Sequence, residues 1–213
     1  MKKISIVFFA LYIFINSSNA QEAGDLFKVG KIKFFGIDFS HVKLIGDFSQ
    51  FNGIGATTPA TIRDTYFPAW NNLLMEEPDK FNLKTMLRKD DVSVDLAMVT
   101  SLNAKTPMES LEGTTSPIYT KDDIQKFIRN YSTQTRDGMA VLFVAESLNK
   151  TLKEGYFHFV LIRLTDNEIL IHERIKGIPQ GMSVRNYWAG AIFKVMDSIQ
   201  KVYYLQWKTK YAK

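Results

Sequence analysis

Few residues of this chain are equipped for chemistry. Asp38, Ser40 and His41 stand together in KIKFFGIDFSHVKLI and supply the three side-chain types of an acyl-transfer triad. On an extended strand Ser40 and His41 point to opposite faces, so closeness in sequence makes no triad unless a bend re-aims one of them. A polar strand end is the simpler account. The chain has three histidines, His41, His158 and His172, none in an H-x-x-H or H-E-x-x-H spacing, and no cysteine. Thiolate nucleophiles and cysteine zinc sites are therefore excluded, and no G-x-S-x-G elbow occurs. Gly53-Ile54-Gly55 precedes Thr58-Pro59 as a phosphate loop precedes its helix, but the third glycine and a G-K-[ST] are missing. No catalytic residue, metal ligand or cofactor is assigned.

The elements that must position these residues centre on 138–177, GMAVLFVAESLNKTLKEGYFHFVLIRLTDNEILIHERIKG. Val141 to Val144 is continuously apolar, as a strand buried on both faces should be. Two alternating runs follow, split by Asp166-Asn167, which tolerates the positive φ of a tight turn. The expectation is a three-strand antiparallel meander. Counting outward from a two-residue loop puts His158 and Val160 on one face with Ile171 and Glu173, and puts Phe159 on the other with His172 and Arg174. His158 and Glu173 are then diagonal neighbours, a satisfied polar pair or a small polar site. His158 and His172 are kept apart, so they cannot share a metal. A one-residue slip would exchange the faces.

Around the meander the pattern predicts a strand over 31–45 with a bend near Ser40, where the apolar phase shifts. A helix capped by Thr58 with Pro59 at its first position follows, kinked or restarted at Pro68. Asn82 caps a short helix. Val92 to Leu102 alternates as a strand, with a helix from Asp95 to Ala104 as its rival. Thr120 and Asp123 form a capping box. Ser183 caps a final helix to about Lys208, with Trp188, Ile192, Val195, Ile199 and Val202 as one apolar seam. Tyr204 and Trp207 fall off that seam. Together with Lys208 and Lys210 they form a candidate contact surface for a partner or an anionic envelope surface. The fold expected is α/β: a mixed five-strand sheet ending in the meander, helices mainly on one face, and the long C-terminal helix packed on the sheet.

Composition sets the address. Lys2 and Lys3, the apolar run Ile4 to Ile15 and the ending Ser18-Asn19-Ala20 read as a signal peptide over 1–20, leaving 21–213 as a single α/β domain. The apolar run is shorter than the roughly 20 residues of a membrane span, and no later stretch would span a membrane. Lys2 and Lys3 account for two of the net +5, so a cleaved chain carries +3. That charge is too mild to imply nucleic acid. An exported chain without cysteine suits a bacterial periplasm or exterior.

This element order, over Lys31 to Lys208, resembles exported bacterial α/β proteins of the cell envelope. Among them are the N-terminal domain of the Tol-system propeller protein and the auxiliary lipoproteins of ABC transporters. It departs from them in having neither a lipoprotein cysteine nor propeller repeats, and no functional motif carries the likeness. The resemblance implies a periplasmic or secreted, non-enzymatic module that binds a partner or assists envelope assembly. The alternatives are a hydrolase with a site near Asp38 and His41, or a small-ligand carrier.

Overall fold

The computed structural model describes residues 22–51, 57–133 and 136–212. The leader at 1–20 and the Gly53-Ile54-Gly55 loop lie outside the described residues. In chain order the elements are β1 (Lys31–Asp38), β2 (Lys43–Ile45), α1 (Pro59–Thr61), α2 (Phe67–Glu76), α3 (Leu83–Leu87), β3 (Asp91–Val94), α4 (Ala97–Ala104) and β4 (Glu112–Gly113). They continue with α5 (Lys121–Arg129), β5 (Met139–Asn149), β6 (Glu154–Arg163), β7 (Glu168–Gly177), α6 (Val184–Ser198) and α7 (Tyr204–Tyr211). A π turn over Ile62–Tyr66 joins α1 to α2, and another over Ile199–Tyr203 joins α6 to α7.

One mixed sheet holds the molecule together. β1 runs parallel to β3 on one side and β5 on the other. The chain turns at Phe39–Val42, where the Val42 N–H donates to the Phe39 carbonyl at 3.1 Å. It then resumes as β2, which pairs in parallel with β5 and β4. The expected bend near Ser40 is this turn. β6 and β7 complete the sheet by antiparallel pairing, β5 to β6 to β7.

The antiparallel half differs from expectation in register. Arg163 pairs with Glu168, so the loop is the four residues 164–167, with Asn167 at φ 56°. A bulge at Leu170 then shifts the phase: Ile162 faces Ile169, but Leu161 faces Ile171. The extra residue inverts every assignment on β7 beyond it.

Helices lie on both faces but mainly on one, as expected. On the face of Phe143, Phe159 and Ile175 lie Phe67 and Trp70 of α2, Trp188, Ile192 and Val195 of α6, and Trp207 of α7. On the face of Leu142, Val160 and Ile162 lie Ile124 and Ile128 of α5. This is why every residue of β5 is buried. At about 1.5–3 kcal/mol per large side chain, the α6 seam alone is a main stabilising term.

Three further features have local causes. The run from Val92 is a strand only to Val94, and Ala97–Ala104 is helical, as the rival reading had it. Met98 and Leu102, which suggested alternation, are also four apart and so share a helix face. Pro68 lies in the first turn of α2, which begins at Phe67 after the π turn, so the helix restarts there as expected. Finally, β1 beyond Phe34 has no strand partner on its β3 side. Buried Asn71 and Asn103 fill that edge with side-chain bonds to the backbone of Ile37 and Phe39 at 2.7–3.0 Å.

Candidate functional site

The face under α5 is apolar at one end and polar at the other, and sheet register creates the polar end. Val144 pairs with His158, and His158 pairs with Arg174, so the two polar residues stand side by side on one face. Val160 pairs with His172, which adds the second histidine to that face. In β5 a bulge intervenes between Ala145, opposite Phe157, and Ser147, opposite Tyr156. The bulged residue is Glu146, turned onto the same face with its side chain fully buried.

Both oxygens of Glu146 accept hydrogen bonds. Oε2 receives His158 Nε2–H at 3.0 Å, Arg174 Nε–H at 2.9 Å and the main-chain N–H of Tyr119 at 3.1 Å. Oε1 receives Arg174 Nη2–H at 2.6 Å. The Arg174 guanidinium lies 3.7 Å from the Tyr156 ring centroid, a cation–π contact. Burial pushes the Glu146 carboxyl up, but the donors Arg174, His158 and Tyr119 outweigh it and hold it below its usual range.

The network assigns the tautomers. His158 donates from Nε2 to the carboxylate; in its neutral form its Nδ1 then accepts from His172 Nε2–H at 2.8 Å. The second nitrogen of His172 remains for a proton. Burial above all, with a smaller push from the Lys121 charge, brings His172 down to about 4.

Asp38 belongs to the same face, in register with Val144. It is fully buried, and its oxygens accept the Ser40 main-chain N–H at 2.7 Å and the Tyr131 hydroxyl. Burial and the Asp38 charge push the Tyr131 phenol well above its ordinary value. His41 stacks on Phe127 of α5 at 3.6 Å between centroids, and its carbonyl accepts the Tyr119 hydroxyl. Burial lowers its imidazole, against the pull of Asp38. Asp38, Ser40 and His41 are therefore neighbours without being a triad: the aspartate orients a main-chain amide and a tyrosine instead of an imidazole.

Of the other expected site residues, Glu173 faces away from His158 and accepts the Trp207 indole N–H at 3.3 Å, a consequence of the Leu170 bulge. His158 and His172, expected on opposite faces, are in contact for the same reason. Tyr204 and Trp207 are buried: Tyr204 against Phe27 and Arg88, and Trp207 stacked on Phe159 at 4.4 Å. The π turn inserts a residue in the helix, which rotates Trp207 onto the sheet and Tyr204 against Phe27 and Arg88, and turns Val202 outward. Lys208 and Lys210 stay exposed. Glu146, Arg174, Tyr119 and Tyr156 carry the site without having been singled out. The signal for Glu146 was present, since a lone carboxylate in the run MAVLFVAESLN must find donors inside.

Among the described residues no group of three or more His, Cys, Asp or Glu is placed to hold a metal ion, and no helix is long and apolar enough to cross a membrane. The architecture is thus a mixed α/β sheet carrying a buried carboxylate–imidazole–guanidinium centre. No family model matches the chain, and comparison with curated proteins and with solved structures finds no match either.

Proposed function

We propose that this chain is an exported, non-enzymatic accessory module of the bacterial cell envelope, periplasmic or secreted, that works by holding a partner. The observation that supports this best is the closure of the polar centre. Glu146 accepts four hydrogen bonds, and Asp38 gives its oxygens to Ser40 and Tyr131. A general base or nucleophile must face its substrate, and these fully buried carboxylates turn instead toward donors of the fold itself. The centre fixes where β5, β6, β7 and the Tyr119 segment sit relative to one another, as suits a rigid presenting scaffold. The partner is an envelope protein or the anionic envelope surface, not nucleic acid.

Two measurements test this. N-terminal sequencing of protein recovered from the periplasm or medium should begin at Gln21, whereas cytoplasmic retention with 1–20 intact rejects export. A hydrolase panel run on the wild type and on Asp38→Asn separates the enzymatic alternative. Turnover that vanishes in a folded Asp38→Asn variant overturns the non-enzymatic reading.

A further inference from the structure

The entrance to β5 brings a free carboxyl next to a free backbone amide. Asp137–Gly138 is the one Asp-Gly pair in the sequence, and it directly precedes Met139, the first residue of β5. The fold demands glycine there. Gly138 takes φ 91°, a conformation that strains a residue carrying a Cβ. Its carbonyl accepts the Leu164 N–H at 2.9 Å, one step before Met139 pairs with Arg163. The ladder thus fixes the carbonyl side of Gly138 and leaves its N–H without an acceptor among the described residues.

The carboxyl of Asp137 is free as well. It is exposed, has no hydrogen bond or ion pair among the described residues, and lines an open cleft with Gly138, Val29 and Ser93. Chain neighbours apart, no heavy atom lies within 4 Å of where a Cβ on Gly138 would stand. A carboxyl one methylene from the main chain can therefore swing onto the next amide nitrogen, the closure of a five-membered ring. Other aspartates lack these conditions. Asp166 accepts the Arg163 Nε–H and the Glu168 N–H, each at 3.1 Å. Asp197 pairs with Lys201 at 2.7 Å and lies within α6.

We propose that Asp137–Gly138 is a self-modification site that converts to isoaspartate. The Gly138 nitrogen attacks Asp137 Cγ and gives up its proton, and the carboxyl hydroxyl leaves with that proton as water, closing a succinimide. Water then opens the ring. Addition at Cγ breaks the new Cγ–N bond and restores aspartate. Addition at the main-chain carbonyl breaks the original peptide C–N bond and leaves the chain running through Cβ and Cγ. The product keeps the mass and formal charge, carries one oxygen from solvent, and has one more methylene in the main chain ahead of β5. An isoaspartyl residue is also the substrate class of carboxyl methyltransferases that draw on a sulfonium methyl donor. The site needs only the turn and is independent of the envelope reading.

The test is to hold the folded protein near neutral pH in heavy-oxygen water and map its peptides by mass spectrometry, with labelling by isoaspartyl methyltransferase as a second readout. Heavy oxygen and methyl-accepting isoaspartate should accumulate at Asp137 about tenfold faster or more than at Asp166 or Asp197, because glycine leaves the attacking nitrogen without a neighbouring Cβ. Asp137→Glu, which would need a larger ring, should lose both signals at unchanged Tm. Asp137→Asn should close the same ring with ammonia as the leaving group and reach isoaspartate faster than wild type does. Wild type that stays unlabelled at Asp137 overturns the proposal, and a peptide of residues 132–142 that does label then assigns the block to the fold. Label that persists at position 137 in Asp137→Glu, or an Asp137→Asn variant that keeps its amide, overturns it equally.

Discussion

His158 and His172 are joined by one hydrogen bond of 2.8 Å, Nδ1 to Nε2, and the pair hangs from the buried carboxylate of Glu146. A single proton occupies the space between the two rings. Both imidazoles can be neutral, or one can be charged, but two protons facing each other across that gap would break the contact. The pair thus couples the fold to pH.

The direction of that coupling is toward acid instability. The unfolded His172 takes up a proton as pH falls below about 6.5, while the folded ring resists until about 4. Stability conferred by the neutral ring is complete above about pH 6.5 and is lost progressively down to about 4. Glu146 acts in the same direction: its folded carboxyl is held low, so its contribution is present above the unfolded value and is lost as pH falls through the folded one. The partly exposed His172 should account for roughly 1–2 kcal/mol after allowance for solvent screening. Tm measured between pH 7 and 4 should fall, and His172→Gln, which keeps a donor toward His158, should flatten the curve. A Tm that rises on acidification contradicts the assigned hydrogen-bond chain.

Glu146→Ala should be among the most damaging polar substitutions in the protein. It strips His158, Arg174 and the Tyr119 amide of their shared acceptor, leaving donors in a buried site. The expected loss is about 2–4 kcal/mol, toward the lower end because Arg174 reaches some solvent. Urea denaturation measures it. A loss below about 0.5 kcal/mol, the range of an ordinary surface change, would show that the centre is dispensable to the fold.

Local chemistry in the sequence was legible where a few neighbouring residues decide the outcome. Thr58, Asn82, Thr120 and Ser183 each accept a main-chain N–H as helix caps, and Thr120 with Asp123 closes a capping box. β5 is buried on both faces as its apolar run implied. What was illegible is whatever an inserted residue controls. Leu170 in β7, Glu146 in β5 and the π turn at Ile199–Tyr203 each shift a periodicity by one position. Periodicity read from a sequence assumes no insertion, so each shift sends every later side chain to the wrong face. His158 with His172, and Trp207 with Glu173, were misplaced in this way. Asn71 and Asn103, which complete the edge of β1, come from helices 32 residues apart, and no local pattern joins them.

Close backbone approach makes a third prediction. A Cβ on Gly177 would stand 2.2 Å from the Ala191 carbonyl oxygen of α6, and neither backbone can yield without moving the helix off β7. Gly177→Ala should cost about 3 kcal/mol or more, at or above the upper range of core overpacking. At Gly155 the nearest atoms are side-chain carbons at 3.0 and 3.4 Å, which can adjust, so Gly155→Ala should be milder by a clear margin. Paired thermal melts decide it; equal costs would mean that α6 slides freely over the sheet.

The π turn between α6 and α7 yields the sharpest contrast between deletion and substitution. Val202 lies inside it and is 47% exposed, so it contributes little packing of its own. Val202→Ala should leave stability within about 0.5 kcal/mol of wild type. Deleting Val202 should convert the turn to regular α-helix and rotate everything after it by about one residue, roughly 100°. Trp207 would leave Phe159 and Glu173, and Tyr204 would leave Phe27 and Arg88. Losing the Trp207 contacts alone should cost about 3–5 kcal/mol, the scale of truncating a buried tryptophan. Trp207→Ser should therefore reproduce most of the destabilisation caused by the deletion. Tryptophan emission, read alongside the melt, should shift to the red in the deletion variant while α6 keeps its helical signal. A deletion variant as stable as wild type, or a folded Trp207→Ser with unchanged Tm, would show that Trp207 is not held on the sheet by the phase of this helix.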